Sequence, residues 1–170
     1  MTKLMRLLLA TFMLMATSPA AFADNNAPLQ SVTHQSSRDA AAEQQIQQAF
    51  DAWLAAVSSG SSEAVTKLYA RDAILLPTLS PKVAATPEDR KAYFDAFTSK
   101  PGLKGTVNEE HIRVFGHTAI NSGLYTFTYL KDGATVEVPA RFSFVYRKTP
   151  QGWLIVDHHS SKLPVVEGVP

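Results

Sequence analysis

The chain has 170 residues, enough for one domain with a real core, and near-balanced charge, with 16 basic and 15 acidic side chains. That balance leaves no basic footprint for nucleic acid or an anionic membrane surface. The absence of cysteine excludes disulfides, a thiol nucleophile, thiolate metal ligands and a lipid-bearing cysteine near the chain start.

The chain opens with a basic start at Lys3 and Arg6, an apolar run from Leu7 to Met15, and Ala21-Phe22-Ala23, a small-x-small cleavage site. This pattern predicts a secretory signal peptide over residues 1–23, and its apolar run is too short to span a bilayer. The run has no polar face, which sets it apart from an amphipathic anchor that stays in place. Cleavage after Ala23 removes Lys3 and Arg6 and no acidic residue, taking the net charge from +1 to −1. A periplasmic or secreted protein is expected, with no membrane attachment after cleavage.

Residues 24–37 are rich in Asn, Gln, Ser and Ala, contain Pro28 and show no periodicity, so they read as a flexible lead. From Arg38 the pattern changes. Ile46, Ala49, Phe50, Trp53, Leu54 and Val57 lie on one face of a helix that ends at Ser58-Ser59-Gly60, with Gly60 as a left-handed cap. Ser61 caps a short second helix with Glu63 near its positive end. Arg71-Asp72 interrupts the pattern, and Ala73 to Leu76 reads as a buried strand stopped by Pro77. Thr86-Pro87-Glu88-Asp89 then predicts a helix start, with Thr86 as cap and Pro87 where its missing N–H costs nothing. Tyr93, Phe94 and Phe97 face inward along it.

After Gly102 the period changes from 3.6 to 2. Four strand-like runs follow, Lys104 to Phe115, Thr118 to Leu130, Thr135 to Lys148 and Trp153 to Leu163. Joints as short as Gly116-His117, Lys131-Asp132-Gly133 and Thr149-Pro150-Gln151-Gly152 require antiparallel neighbours, so the runs form a meander. Helices first and a long meander last is an α+β class, with the helices across one face of a curved sheet.

Four segments resemble the nuclear transport factor 2-like (NTF2-like) superfamily. Within it the chain is similar to SnoaL-like proteins and to the association domain of calcium/calmodulin-dependent protein kinase II. Ser59-Gly60 through Leu68-Tyr69 resembles the turn between that family's first two helices, and Tyr93-Phe94 its aromatic pair in the third. His111-Ile-Arg-Val-Phe-Gly116 resembles its His-x-His-x-x-Gly strand, with Arg113 in place of the second histidine. Gly152-Trp153 through His159-Ser160-Ser161 to Pro164 resembles its closing Trp-x-x-Val-x-x-His-x-Ser strand. The resemblance implies a cone of helices on a curved, mostly antiparallel sheet over residues 38–165, enclosing a pocket, with 166–170 as a tail. It also implies oligomerisation through the sheet. Kinase activity is not implied, because the chain has neither a glycine-rich phosphate loop nor a catalytic-loop motif.

The closing strand carries the candidate chemistry. Alternation places Asp157, His159 and Ser161 on one face and His158 and Ser160 on the other. Asp157 and His159 sit about 7 Å apart by strand rise, too far for a hydrogen bond unless the side chains lean together. His159 occupies the family's recurring histidine position and is expected in the pocket, as a general base or hydrogen-bond partner; the alternative is a strand tie. His158 is expected to face an interface or solvent.

Arg141, between Ala140 and Phe142, needs an anion, an acidic partner or water, and on a concave face it would hold a carboxylate. The alternative is an ion pair with Glu137, Asp157 or Glu110. Tyr125 and Ser143 complete the expected pocket lining. Tyr125, Phe127 and Tyr129 share one face and suit a core or a dimer interface. No metal site is expected, since His158 and His159 point apart and no chelating spacing supports them. No cofactor is expected.

Leu124, Leu130, Val145 and Leu154 are too many apolar residues for a solvated face, which predicts a homodimer through the sheet. Three functions stay open. One is a pocket protein for a small apolar or weakly anionic molecule. Another is a cofactor-free isomerase, cyclase or hydrolase with His159 as base and Arg141 or Tyr125 as oxyanion partner. The third is a pure assembly module.

Overall fold

The computed structural model describes the backbone of residues 27–164 and the side chains from Arg38 onward. The expected signal peptide, its cleavage site and the tail at 166–170 lie outside the described residues. The elements run α1 (Ala27–Ser58), α2 (Ser62–Thr66), β1 (Tyr69–Leu76), α3 (Pro87–Thr98), β2 (Lys104–Phe115), β3 (Thr118–Lys131), β4 (Ala134–Thr149) and β5 (Gly152–Lys162).

Helix α1 starts well before Arg38. Pro28 falls in its first turn, where no N–H is needed, and extending a formed helix costs far less than nucleating one. The apolar stripe of its second half is buried as expected, with Ile46, Phe50, Trp53 and Val57 inaccessible. Gly60 takes φ 79°, the left-handed conformation that ends the helix. Ser61 accepts from Ala64 N, and Thr86 accepts from Asp89 N at 3.1 Å, so both expected caps form.

The sheet is five-stranded in the order β1-β5-β4-β3-β2. β2 to β5 form the expected antiparallel meander, and β1 joins parallel to β5. Two bulges bend it. In β2 the extra residue is Asn108, between the pairs Val107 with Tyr125 and Glu109 with Leu124. Backbone comes so close there that a Cβ on Gly123 would sit 1.9 Å from Glu109 O, which only glycine avoids. In β5 the extra residue is Val156, because Tyr146 pairs with Ile155 while Val145 pairs with Asp157.

Helices α1 and α3 cover the inner face. Phe50 meets Phe142 and Phe144, Trp53 meets Tyr125 and Phe144, and Phe97 meets Phe127 edge-on. The free edge of β1 is blocked by α3. The buried Arg90 guanidinium donates to the carbonyls of Ala70, Arg71 and Ala73 at 3.0, 2.9 and 2.5 Å, taking acceptors that another strand would otherwise use.

Candidate functional site

The bulge at Val156 decides which part of β5 faces the helices. An extra residue reverses the parity of everything after it. Before the bulge Trp153 and Ile155 point inward; after it His158 and Ser160 do, and Asp157, His159 and Ser161 point outward. The burial pattern agrees, with His158 at 3% and Ser160 at 6% exposure and His159 exposed. The expectation that His158 faces an interface or solvent is therefore corrected: it is the buried histidine, opposite Phe144 in the core.

A chain of polar groups runs through the inner face. Trp53 Nε1 donates to Tyr69 Oη at 3.0 Å, and Tyr69 Oη lies 2.7 Å from His158 Nδ1. Indole is only a donor, so Tyr69 accepts from Trp53, and among the described residues His158 Nδ1 is the acceptor within reach of the Tyr69 O–H, which favours donation from Tyr69 to His158. In that arrangement the histidine proton sits on Nε2, which has no partner among the described residues. Alongside, Tyr125 Oη donates to Ser160 Oγ at 2.5 Å, and Ser160 Oγ also bonds Thr78 Oγ1.

Burial sets the protonation of this cluster. Desolvation, helped by the nearby His159, pushes His158 down from 6.5 to about 3, so it is neutral. Desolvation likewise pushes the Tyr69 and Tyr125 phenols upward, against the bonds from Trp53 and to Ser160.

His158, Ser160 and Tyr125 line a void of about 10 Å³, room for about one water. The rest of the cone interior is filled by aromatic and apolar side chains. Outside the void lies a groove of about 360 Å³ between α3 and the β1–α3 connection, lined by residues that include Ala92, Ala96 and the stems of Lys82 and Lys100. Pro77, Leu79, Tyr93 and Phe97 line both spaces and separate them. Lys82 pairs with Asp89 at 2.6 Å, and Lys100 Nζ lies over the Tyr129 ring at 4.7 Å.

The other expected site residues gather on the opposite face. Cross-strand register sets Arg141 beside Ser161, Ser143 beside His159 and Val145 beside Asp157. Arg141 Nε donates to Ser161 Oγ at 3.1 Å. Partial burial raises the Asp157 carboxyl, and the neighbouring His159 lowers it by less. His159 and Ser161 also border an open depression with Leu76, Pro77 and Val83. Five of the six expected residues are thus neighbours on the outer face, and Tyr125 stands apart on the inner one.

A second buried polar group is Asn121, which by its sequence position is an ordinary strand polar residue. Asn121 is inaccessible and donates to Glu110 Oε1 at 2.6 Å, while its Oδ1 and the Tyr146 hydroxyl have no partner among the described residues. Desolvation, with Glu110 and Asp51 nearby, pushes the Tyr146 phenol upward. Among the described residues no three His, Asp or Glu side chains gather as a metal would need. None of the described helices is long and apolar enough to cross a membrane.

The sequence model of the calcium/calmodulin dependent protein kinase II association domain matches residues 42–164, nearly the whole of the described chain. The chain belongs to this family. A Xanthomonas campestris protein assigned to the same association domain is 41% identical, with a TM-score of 0.67 over 71% of this chain and 87% of that one. At the level of fold, an NTF2-like superfamily protein from Salmonella enterica matches with 19% identity and a TM-score of 0.67, over 76% and 96% of the two chains. The kinase II hub homology domain of Chlamydomonas reinhardtii matches with 22% identity and a TM-score of 0.61, over 71% and 97%. No curated protein matches the sequence. The association-domain fold is therefore an NTF2-like α+β cone, with the family's closing Trp-to-Ser strand as β5.

Proposed function

We propose that this association-domain protein is exported, dimerises through the outer sheet face, and holds a small apolar or weakly anionic molecule in the groove beside α3. Lys3, Arg6, the Leu7–Met15 run and Ala21-Phe22-Ala23 support export. The observation that carries the ligand reading is the apolar groove of about 360 Å³ beside α3, with the smaller void that buried His158 borders lying behind Pro77, Leu79, Tyr93 and Phe97. Pockets of this size with a few convergent polar groups suit small molecules. Lys82 and Lys100 at the rim would favour a weakly anionic end near water.

Binding fits better than catalysis. A base on the inner face would be His158, and a group held at about 3 is a poor proton acceptor at neutral pH. His159, the expected base, faces away from the groove.

A second reading, a pure assembly module, is favoured by the filled cone interior and by the outer face. There Ile120, Leu124, Val145 and Leu154 are only half-covered, and Phe115 and Leu130 are exposed at 59% and 48%. Native mass spectrometry of protein taken from its own periplasm tests both readings. A dimer carrying one small molecule per protomer is expected. A ligand-free dimer leaves assembly alone, and a monomer at micromolar concentration removes the dimer.

A further inference from the structure

The groove beside α3 is elongated, apolar along its middle and unequally charged at its two ends. Asp89, Ala92, Tyr93, Ala96 and Phe97 recur at three- and four-residue spacing, so they share one face of α3, and Lys100 follows just past its end. From Asp89 to Phe97 that face runs for about 12 Å at the helical rise. Ala92 and Ala96 are exposed and too short to close the groove, and the rings of Tyr93 and Phe97 stack at 5.6 Å between centroids beside them. The polar atoms along the middle are engaged: Leu79 N–H bonds the Tyr93 hydroxyl, and Ser80 Oγ accepts from Lys82 N at 3.1 Å.

Three charged side chains line the groove, Lys82, Asp89 and Lys100. Lys82 and Asp89 neutralise each other at 2.6 Å. Among the described residues no carboxylate pairs with Lys100, whose ammonium lies over the Tyr129 ring at 4.7 Å. A ring face attracts a cation without cancelling its charge, so the groove's surplus positive charge sits at the Lys100 end.

Resting on the groove being a ligand site, we infer that its ligand is a chain-like amphipathic monoanion, a medium-chain carboxylate, held with its charge at Lys100. Its chain runs along Phe97, Ala96, Tyr93 and Ala92 toward Leu79. The Lys82 end takes the apolar tip, because an anion there would have to compete with Asp89. A cationic head finds no free carboxylate. A second anionic group along the chain meets only a lysine that Asp89 already neutralises. The carboxylate at Lys100 stays in contact with water, so the pair forms without the cost of burying a charge. The narrowing is from apolar or weakly anionic molecules to singly charged, chain-like ones with a fixed direction.

Three probes with the same eight-carbon chain test this on the intact protein at neutral pH: octanoate, 1-octanol and octylammonium. Binding is followed by the methyl signals of Leu79, Ala92 and Ala96, which line the groove. Octanoate is expected to bind about three- to fivefold tighter than octanol, the worth of one exposed ion pair, and octylammonium weakest. Lys100→Gln should remove the preference for octanoate while the methyls still respond to all three probes. Lys82→Gln combined with Asp89→Asn, which deletes the paired charges together, should keep it. The comparison of probes on the unsubstituted chain needs neither variant. Octanol or octylammonium binding at least as tightly as octanoate would overturn the inference and leave the groove reading intact. So would a preference that survives Lys100→Gln and disappears with the Lys82 and Asp89 pair. Silence of all three sets of methyls toward every probe would remove both.

Discussion

The two faces of β5 carry nearly the same side chains and put them to opposite use. Inward, His158 and Ser160 sit under α1 and α3; the His158 ring stacks on Phe144 at 3.8 Å between centroids and meets Trp53 edge-on at 5.3 Å. Outward, His159 and Ser161 lie beside Ser143 and Arg141, open to water in a single protomer. On the inner face desolvation and fixed partners set tautomer and charge. On the outer face water screens each group, and a neighbour such as Arg141 has latitude in choosing a partner. Residue type does not separate a core histidine from a surface one; its position relative to the bulge does.

The sharpest contrast lies on β4. Phe144 is inaccessible and touches Phe50, Trp53, Phe142 and His158, while Val145, one residue on, faces outward. Phe144→Ala is expected to cost about 3–5 kcal/mol in urea unfolding, as buried aromatic truncations do. Val145→Ala should cost under about 1 kcal/mol in the monomer, and equal costs would mean the face assignment is wrong.

Next in size is the polar chain itself. Tyr69→Phe leaves Trp53 Nε1–H and His158 Nδ1 without partners in a closed interior, and is expected to cost about 1–3 kcal/mol. The same unfolding experiment on Thr126→Val, which removes the exposed bond to Asn108 Oδ1 on β2, should show a few tenths of a kcal/mol or less.

The inner face also has a pH signature. His158 stands at about 3 when folded against an ordinary 6.5, so as pH falls through that window the unfolded chain takes up the proton first. Stability is therefore whole above about 6.5 and declines toward 3, by at most about 1.4 kcal/mol per pH unit from this one group. The raised Asp157 carboxyl acts with the opposite sign just above its ordinary 3.8, where the folded chain holds the proton longer, so the His158 slope is read most cleanly above pH of about 5. His158→Phe should flatten the curve there; an unchanged slope would mean that the ring charges in place.

Much of this architecture was legible in the sequence. Strands joined by Gly116-His117 or Lys131-Asp132-Gly133 have no option but to pair antiparallel, and period-2 alternation puts Val138, Ala140, Phe142, Phe144 and Tyr146 on one face, which is the buried one. Alternation also split the closing cluster correctly into two sets. Which set faces the pocket was not legible, because a strand without a bulge carries Trp153 and Ile155 onto the same side as His159. The single extra residue at Val156 is set by pairing with β4, a tertiary fact with no composition of its own. The parallel edge strand β1 was seen only in its second half, since the exposed Arg71 and Asp72 mask a strand whose free edge Arg90 completes from another element.

The smallest expected effect is the most telling for the family's recurring histidine. His159 is exposed, adjacent to Ser143 across the strand pair, and on the far side of the sheet from the groove. His159→Ala should change monomer stability by less than about 0.5 kcal/mol, as surface substitutions do. It should leave small-molecule binding in the groove beside α3 unaltered. If the outer face joins two protomers, the same variant acts on association instead, because His159 then lies buried between copies next to Asp157. Sedimentation of His159→Ala and of unaltered protein across pH 5–8 separates the cases. A change in dimer affinity with groove binding intact assigns this histidine to assembly. Lost groove binding with an unchanged dimer would return it to the ligand site and reverse the assignment of the two faces.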